Sequence, residues 1–214
     1  MTAITEKAKQ TISPLPTPVS FEQFIDWYPE NADYRYELHR GLIIQMPKPR
    51  GKHSEIAGFL HDELAIAIRQ SKFPYLIPRE CVVRVSDDTG YEPDVIVLDR
   101  TALVAESLWE KSSTIQQGST VKLAIEVVSS NWQDDYEVKL AGYESMAIPE
   151  YWIVDYAGLG GVRHIGKPKQ PTLTVCRVVD GEYEVARFRQ DEPIVSPLFE
   201  GLSLTLKKLS SLEP

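Results

Sequence analysis

Two cysteines, Cys81 and Cys176, are all that the 214 residues contain, and neither has the spacing of a zinc site or a disulfide framework. Each lies in an apolar, strand-like run, so both read as reduced, buried thiols of a cytosolic protein. No apolar run approaches the ~20 residues that a membrane helix needs. The first ten residues, Met1 to Gln10, are polar and lack the apolar stretch of a secretory signal. Positive charge is also scarce: 23 Lys+Arg face 31 Asp+Glu, a formal net charge of −8. A chain that coats nucleic acid through its overall field would be basic, so such a partner would need a local basic patch or bound cations. The phosphate-loop pattern G-x-x-x-x-G-K-[ST], H-E-x-x-H and G-x-S-x-G are all missing. His53 and His61 have no further partner for a metal set, and Gly158, Gly160 and Gly161 fit a dinucleotide loop only loosely, with Arg163 in place of the last glycine. Hydrophobic residues at 43% and charged residues at 25% are ordinary globular values and exclude a disordered or fibrous chain. The expectation is a cytoplasmic globular protein with no membrane segment.

Residues 1–19, with alternating Pro14, Pro16 and Pro18, read as an extended N-terminal arm. Residues 20–214 read as a single domain, since no linker or repeat divides them. Ser20 caps a predicted amphipathic helix to about Tyr28. Two strands, Tyr34–Leu38 and Leu42–Met46, form a hairpin through His39-Arg40-Gly41. After the basic loop Pro47–Lys52, the steps Ile56, Phe59, Leu60, Leu64, Ala67 and Ile68 predict a helix from about His53 to Ser71. Three strands follow at Tyr75–Val85, Pro93–Leu98 and Val121–Val128, with a helix over Ala102–Glu110 between the last two. A helix over Asp134–Met146 carries Asp134 and Glu137 at capping-box spacing. A strand over Tyr151–Tyr156 and a hairpin of Thr172–Val179 with Tyr183–Phe188, turning at Asp180-Gly181, complete the chain. The order predicts an α/β (α+β) fold with a mixed central sheet flanked by helices and a β-hairpin toward each end.

The chemistry lies in carboxylates at unexpected places. Glu126 interrupts Leu123–Val128, a run apolar on both sides and so a central strand. An acid there is costly unless it is paired or binds a metal; the structural alternatives are an edge strand or an internal salt bridge. Asp94 opens the strand after Pro93, where a turn role is the plain alternative. Glu37 lies within the first apolar strand, where an arginine such as Arg35 or Arg40 is the plain cross-strand partner. Lys139 follows Asp135 by one helical turn, the spacing of a surface ion pair. The short loop Ser129–Gln133, however, returns its helix directly from the strand of Glu126.

Pro93-Asp94 on one strand and Glu126-Val127-Val128 on the next, in an αβββαβ order, resemble the PD-(D/E)XK restriction-endonuclease-like superfamily. More narrowly, the chain is similar to the Uma-type restriction endonuclease family. The matching stretches are Tyr36-Glu37-Leu38, His53-Ser54, Pro93-Asp94-Val95, Ile125–Ser129, Lys139 with Tyr143, and Tyr151–Asp155. Two positions depart from the pattern. Val128 stands where the superfamily has its lysine, and Leu42 stands where the family's first hairpin often has an acid.

The resemblance implies a magnesium- or manganese-dependent endonuclease acting on DNA, with the lysine role moved to Lys139. Asp94 and Glu126 would be direct metal ligands, together with the Val127 carbonyl. Glu37 would hold a second metal or a metal-bound water. His53, at a helix N-terminus, would contact phosphate, and Lys48, Arg50 and Lys52 would give a basic strip for the backbone. Restriction-like enzymes commonly act as dimers to cut both strands, so the resemblance also implies a homodimer. Two other readings stand beside this one: a nuclease-fold module without activity that binds nucleic acid or a protein partner, and an assembly protein using Tyr151-Trp152 as an interface.

Overall fold

The computed structural model describes residues 18–29 and 34–210. The arm expected over residues 1–19 therefore lies outside the described residues except for Pro18 and Val19. Helix α1 (Phe21–Trp27) begins at the expected cap Ser20, which forms a full capping box: the Gln23 N–H donates to Ser20 Oγ and the Ser20 N–H donates to Gln23 Oε1. Strands β1 (Arg35–His39) and β2 (Leu42–Met46) form the predicted hairpin. Helix α2 (Gly51–Ser71) buries Ile56, Leu60, Leu64 and Ile68, the stripe that its periodicity predicts.

The expected strand Tyr75–Val85 is two strands in different sheets, β3 (Tyr75–Leu76) and β4 (Val82–Ser86). Pro78 between them has no N–H for a sheet ladder. Strand β5 (Thr89–Tyr91) returns from β4, and β6 (Val95–Asp99) follows. The helix expected over Ala102–Glu110 is two short turns, α3 (Arg100–Leu103) and α4 (Trp109–Ser112). Asp99 caps the first by accepting from the Thr101 N–H. Glu106 turns inward between them and accepts from the Gln116 and Gln117 N–H groups and the Thr120 hydroxyl, which breaks the helix. Strands β7 (Thr114–Ile115) and β8 (Val121–Val127) follow.

The helix expected over Asp134–Met146 starts as a π-turn, Asp134–Lys139, and continues as α5 (Leu140–Ser145). The predicted capping box does not form. Gln133 stands at the cap without a side-chain bond, and Glu137 pairs with Arg163 and His164 instead. The last elements among the described residues are β9 (Glu150–Asp155), α6 (Val162–Ile165), β10 (Thr172–Val179), β11 (Glu182–Phe188) and α7 (Leu206–Ser210).

In place of one central sheet with separate hairpins there are two mixed sheets. The first has the order β2-β1-β5-β4-β7 and the second β11-β10-β9-β8-β6-β3. In the second sheet β8 is interior, antiparallel to β6 and parallel to β9. The C-terminal hairpin is not separate, since β10 pairs with β9. One face of this sheet packs on α2 and on Ile194, Phe199, Leu204, Leu206 and Leu209. The other packs on the first sheet and α5 through Val83, Tyr91, Tyr136, Tyr143 and Tyr151. The first sheet is covered on its outer side by α1 through Phe21 and Phe24. Cys81 and Cys176 are free thiols and buried, as expected. Among the described residues no helix is long and apolar enough to cross a membrane.

Candidate active site

The period of two along a strand decides which acids meet. In β8, Leu123, Ile125 and Val127 face α2, while Ala124 belongs to the opposite core between the sheets; Glu126 shares the side of Ala124. In β6, Ile96 faces the space between the sheets, and Asp94, two residues earlier, leads onto that side. In β1, Leu38 packs under α1, so Glu37 turns inward toward the second sheet.

Lys139 joins these groups. Its Nζ lies 2.9 Å from Glu37 Oε1, 3.0 Å from Glu126 Oε2 and 3.9 Å from Asp135 Oδ1. It is 3% exposed, so this is not the surface ion pair that its spacing to Asp135 suggested. The Tyr143 hydroxyl donates to Glu126 Oε1 at 3.0 Å. Glu37, fully buried, also contacts His39 Nε2 at 2.8 Å and accepts from the Glu92 N–H at 3.2 Å. The Tyr91 ring lies 5.9 Å from Lys139 Nζ, close enough for a cation–π attraction. Lys139 ends the π-turn, a distortion found disproportionately at functional sites.

Three carboxylates around one ammonium leave an excess of negative charge in a dry place. Burial works against the charge on Lys139, but Glu126, Glu37 and Asp135 outweigh it and hold the ammonium well above the ordinary lysine value. Burial pushes Glu126 well above the ordinary glutamate value; Lys139 opposes this, while Asp94, Asp135 and Glu37 add to it. Burial likewise pushes Asp135 up to about 7. A buried cluster with surplus negative charge favours a further cation or a bound proton.

Asp94 stands at the edge of this cluster and opens outward. Its Oδ1 accepts from Arg35 Nη2 at 3.1 Å; its Oδ2 contacts His53 Nε2 at 2.9 Å and accepts from the Val127 N–H at 2.9 Å. Arg35 also lies 3.8 Å from Glu92 Oε1. Burial lowers the pKa of His53 despite its carboxylate neighbour, which favours a neutral imidazole. A polar cleft of about 720 Å³ reaches the surface here, lined by Arg35, Pro49, Ser54, Ala57, Arg79, Glu80 and Asp94. A buried acid–lysine cluster thus adjoins an open cleft with two arginines.

Residues 21–207 match the family Uma2, described as "Putative restriction endonuclease". The chain belongs to the Uma2 family. A solved structure, a "putative nuclease belonging to DUF820" from Anabaena variabilis ATCC 29413, is similar with a TM-score of 0.68 at 21% identity, over 91% of this chain and 98% of that one. At that identity the likeness speaks for a shared fold. No curated protein matches the chain.

The residues singled out in this Uma2 sequence fall into three groups. Glu37, Glu126 and Lys139 converge, and Asp94 adjoins them through the Val127 N–H. His53 lies in the first turn of α2, as expected, and its ring contacts Asp94. Lys48 and Arg50 are exposed on the loop before α2, and Lys52 pairs with Glu55 at 3.4 Å. Glu37, expected to hold a second metal or a metal-bound water, is fully buried within the cluster. Among the described residues no three His, Cys, Asp or Glu side chains form a ready metal cage, and Glu37 is held by Lys139 and His39. Arg35 was expected only as a cross-strand neighbour of Glu37; it serves Asp94 and Glu92 instead. Sequence reading also missed Glu92 and His39, whose one signal is adjacency: Glu92 stands beside Pro93-Asp94, and His39 shares the strand face of Glu37.

The donor chemistry fits a hard divalent cation. Magnesium is commonly held by only one or two carboxylates and keeps several waters. Asp94 and Glu126 supply two carboxylates, and the Val127 carbonyl belongs to the segment whose N–H already binds Asp94.

Proposed function

We propose that this protein is a magnesium- or manganese-dependent endonuclease that hydrolyses phosphodiester bonds of DNA. The observation that carries this reading is the Lys139 ammonium, 2.9 Å from Glu37 and 3.0 Å from Glu126 in the interior beside Asp94. Asp94 and Glu126 would hold the metal, with the Val127 carbonyl. When bound, the ion supplies Lewis-acid polarisation of the phosphoryl group and a nucleophilic water at neutral pH. Lys139 keeps a fixed positive charge where negative charge develops on the phosphate. Glu37 and Asp135 position that ammonium, and the Tyr143 hydroxyl orients Glu126. Neutral His53 fixes the Asp94 carboxylate. Arg35 and Arg79 line the cleft that a phosphate would enter. Two copies of the chain would be needed to cut both strands of a duplex, so a homodimer is part of the proposal.

The test is nicking of supercoiled plasmid by pure protein with magnesium or manganese, beside Glu126→Gln and Lys139→Ala. Metal-dependent nicking that both substitutions abolish supports the reading. Equal nicking by all three proteins traces the activity to a contaminant or another site and overturns it.

A second reading rests on Asp94, both of whose oxygens already serve Arg35, His53 and the Val127 N–H. Under it the protein holds nucleic acid without cutting. Oligonucleotide binding with no cleavage under any divalent metal selects this reading.

A further inference from the structure

Basic residues gather around α6 although the chain is acidic overall. From residue 156 to residue 179 the sequence holds Arg163, Lys167, Lys169 and Arg177 and no Asp or Glu. The fold brings Arg187 and Arg189 to the first three. The Arg187 Nε–H donates to the His164 carbonyl, and Arg189 Nη2 donates to the Ile165 carbonyl at 2.9 Å. These two guanidinium groups cap the end of α6. Capping accounts for them but not for Lys167 and Lys169, which are exposed on the next loop, with Lys169 Nζ donating to the Leu159 carbonyl at 3.1 Å. Of the nearby acids, Glu137 is engaged by Arg163 and His164, Asp155 accepts from the Leu159 and Gly160 N–H groups, Glu192 accepts from the Arg189 N–H, and Asp191 pairs with Lys207.

Trp132 lies among these cations, half-buried. Its ring is 5.9 Å from that of His164, and Lys169 Nζ sits 6.0 Å from its centroid. The indole rests on Gly161, where an added Cβ would come within 2.7 Å of the ring. His164 stacks at 4.7 Å on Tyr136, a member of the π-turn that ends in Lys139. Both connections that carry the patch, after β8 and after β9, leave the carboxyl ends of parallel strands, the edge where α/β sheets bind ligands.

We propose that this face is a track for a nucleic-acid strand, with Arg163, Lys167, Lys169, Arg187 and Arg189 on the phosphodiester backbone and Trp132 stacking on a base. An anionic lipid surface or an acidic protein would use the cations equally. The aromatic ring set among them, and the shared π-turn with Lys139, single out nucleic acid. The proposal deepens the nuclease reading, and as a path for the substrate it rests on that reading.

The test measures binding of a short fluorescein-labelled single-stranded oligonucleotide by anisotropy, in EDTA so that no cleavage intervenes, across a salt series. Lys167→Gln with Lys169→Gln should weaken binding roughly tenfold and reduce the slope of log K against log salt by ~0.7 per cation removed. Trp132→Leu should weaken binding by roughly tenfold with the salt slope unchanged, because stacking releases no counterion. Absence of binding by the wild type overturns the proposal. So does unchanged affinity and slope in the double variant, or loss in that variant confined to phosphatidylserine vesicles. Metal-dependent cleavage by the same preparations separates the two ideas. Cleavage by the wild type with unaltered binding by the double variant removes the track and leaves the nuclease. Binding that depends on the lysines without any cleavage keeps the surface and removes the nuclease.

Discussion

Lys139 places its ammonium 2.9 Å from Glu37 Oε1, tying the π-turn after β8 to the hairpin at the other end of the chain. Glu37 belongs to the first sheet and Glu126, the second partner of Lys139, to the other, so one buried cation links both sheets. Breaking a buried ion cluster from one side leaves charges without compensation, which costs about 3–5 kcal/mol. Lys139→Met should therefore destabilise the fold by about that much near neutral pH. The loss should shrink in mild acid, where the stranded carboxylates take up protons. Urea denaturation at two pH values measures it, and an equal loss at both would count against the cluster.

Glu92 gives the fold a pH dependence of definite sign. Burial pushes its pKa from the ordinary 4.5 up to about 7, with Arg35 and the Tyr28 hydroxyl opposing the rise. Between those values the folded state binds more protons than the unfolded one. The stability from this group is thus full below about 4.5 and lost as pH rises through about 7. At one pKa unit per 1.36 kcal/mol, the change is on the order of 3 kcal/mol. Glu92→Gln should flatten the decline in unfolding free energy between mildly acidic and mildly alkaline buffer. A slope identical to that of the wild type would show that Glu92 does not titrate there.

Arg35 competes with any cation for Asp94 Oδ1, its partner at 3.1 Å. Magnesium should raise the melting temperature of the wild type, by the equivalent of ~2.7 kcal/mol at a hundredfold excess over Kd. Asp94→Asn should abolish the rise. Arg35→Gln should enlarge it at a given magnesium concentration while slowing cleavage, because the competitor and a phosphate contact leave together. Differential scanning fluorimetry across a magnesium titration checks all three, and a wild type without any shift speaks against the metal site.

Gly118 marks a place where the chain has no room. A Cβ there would lie 1.9 Å from the Met146 carbonyl oxygen, a backbone atom that no side-chain rotation relieves. Gly118→Ala should cost roughly 3 kcal/mol or more, in the range of overpacked cores. Gly181→Ala, which meets nothing within 4 Å but has φ +91°, should cost less, through backbone strain alone. Thermal unfolding of the two variants decides the order.

The sequence alone determined α1 with its Ser20 cap, α2 with its apolar stripe, both hairpins, and Glu126 as an acid on an interior strand. Each depends on residues a few positions apart, through helical period, strand alternation or turn chemistry. Only the tertiary structure decided that Tyr75–Val85 divides between two sheets and that a π-turn replaces the start of a helix. It also decided that Lys139 is buried between Glu37 and Glu126, and that Arg35 reaches Asp94 across 59 residues. Those partnerships arise when two sheets close on each other and the charges trapped between them pair with whatever the packing brings near. No local period in the chain records that outcome.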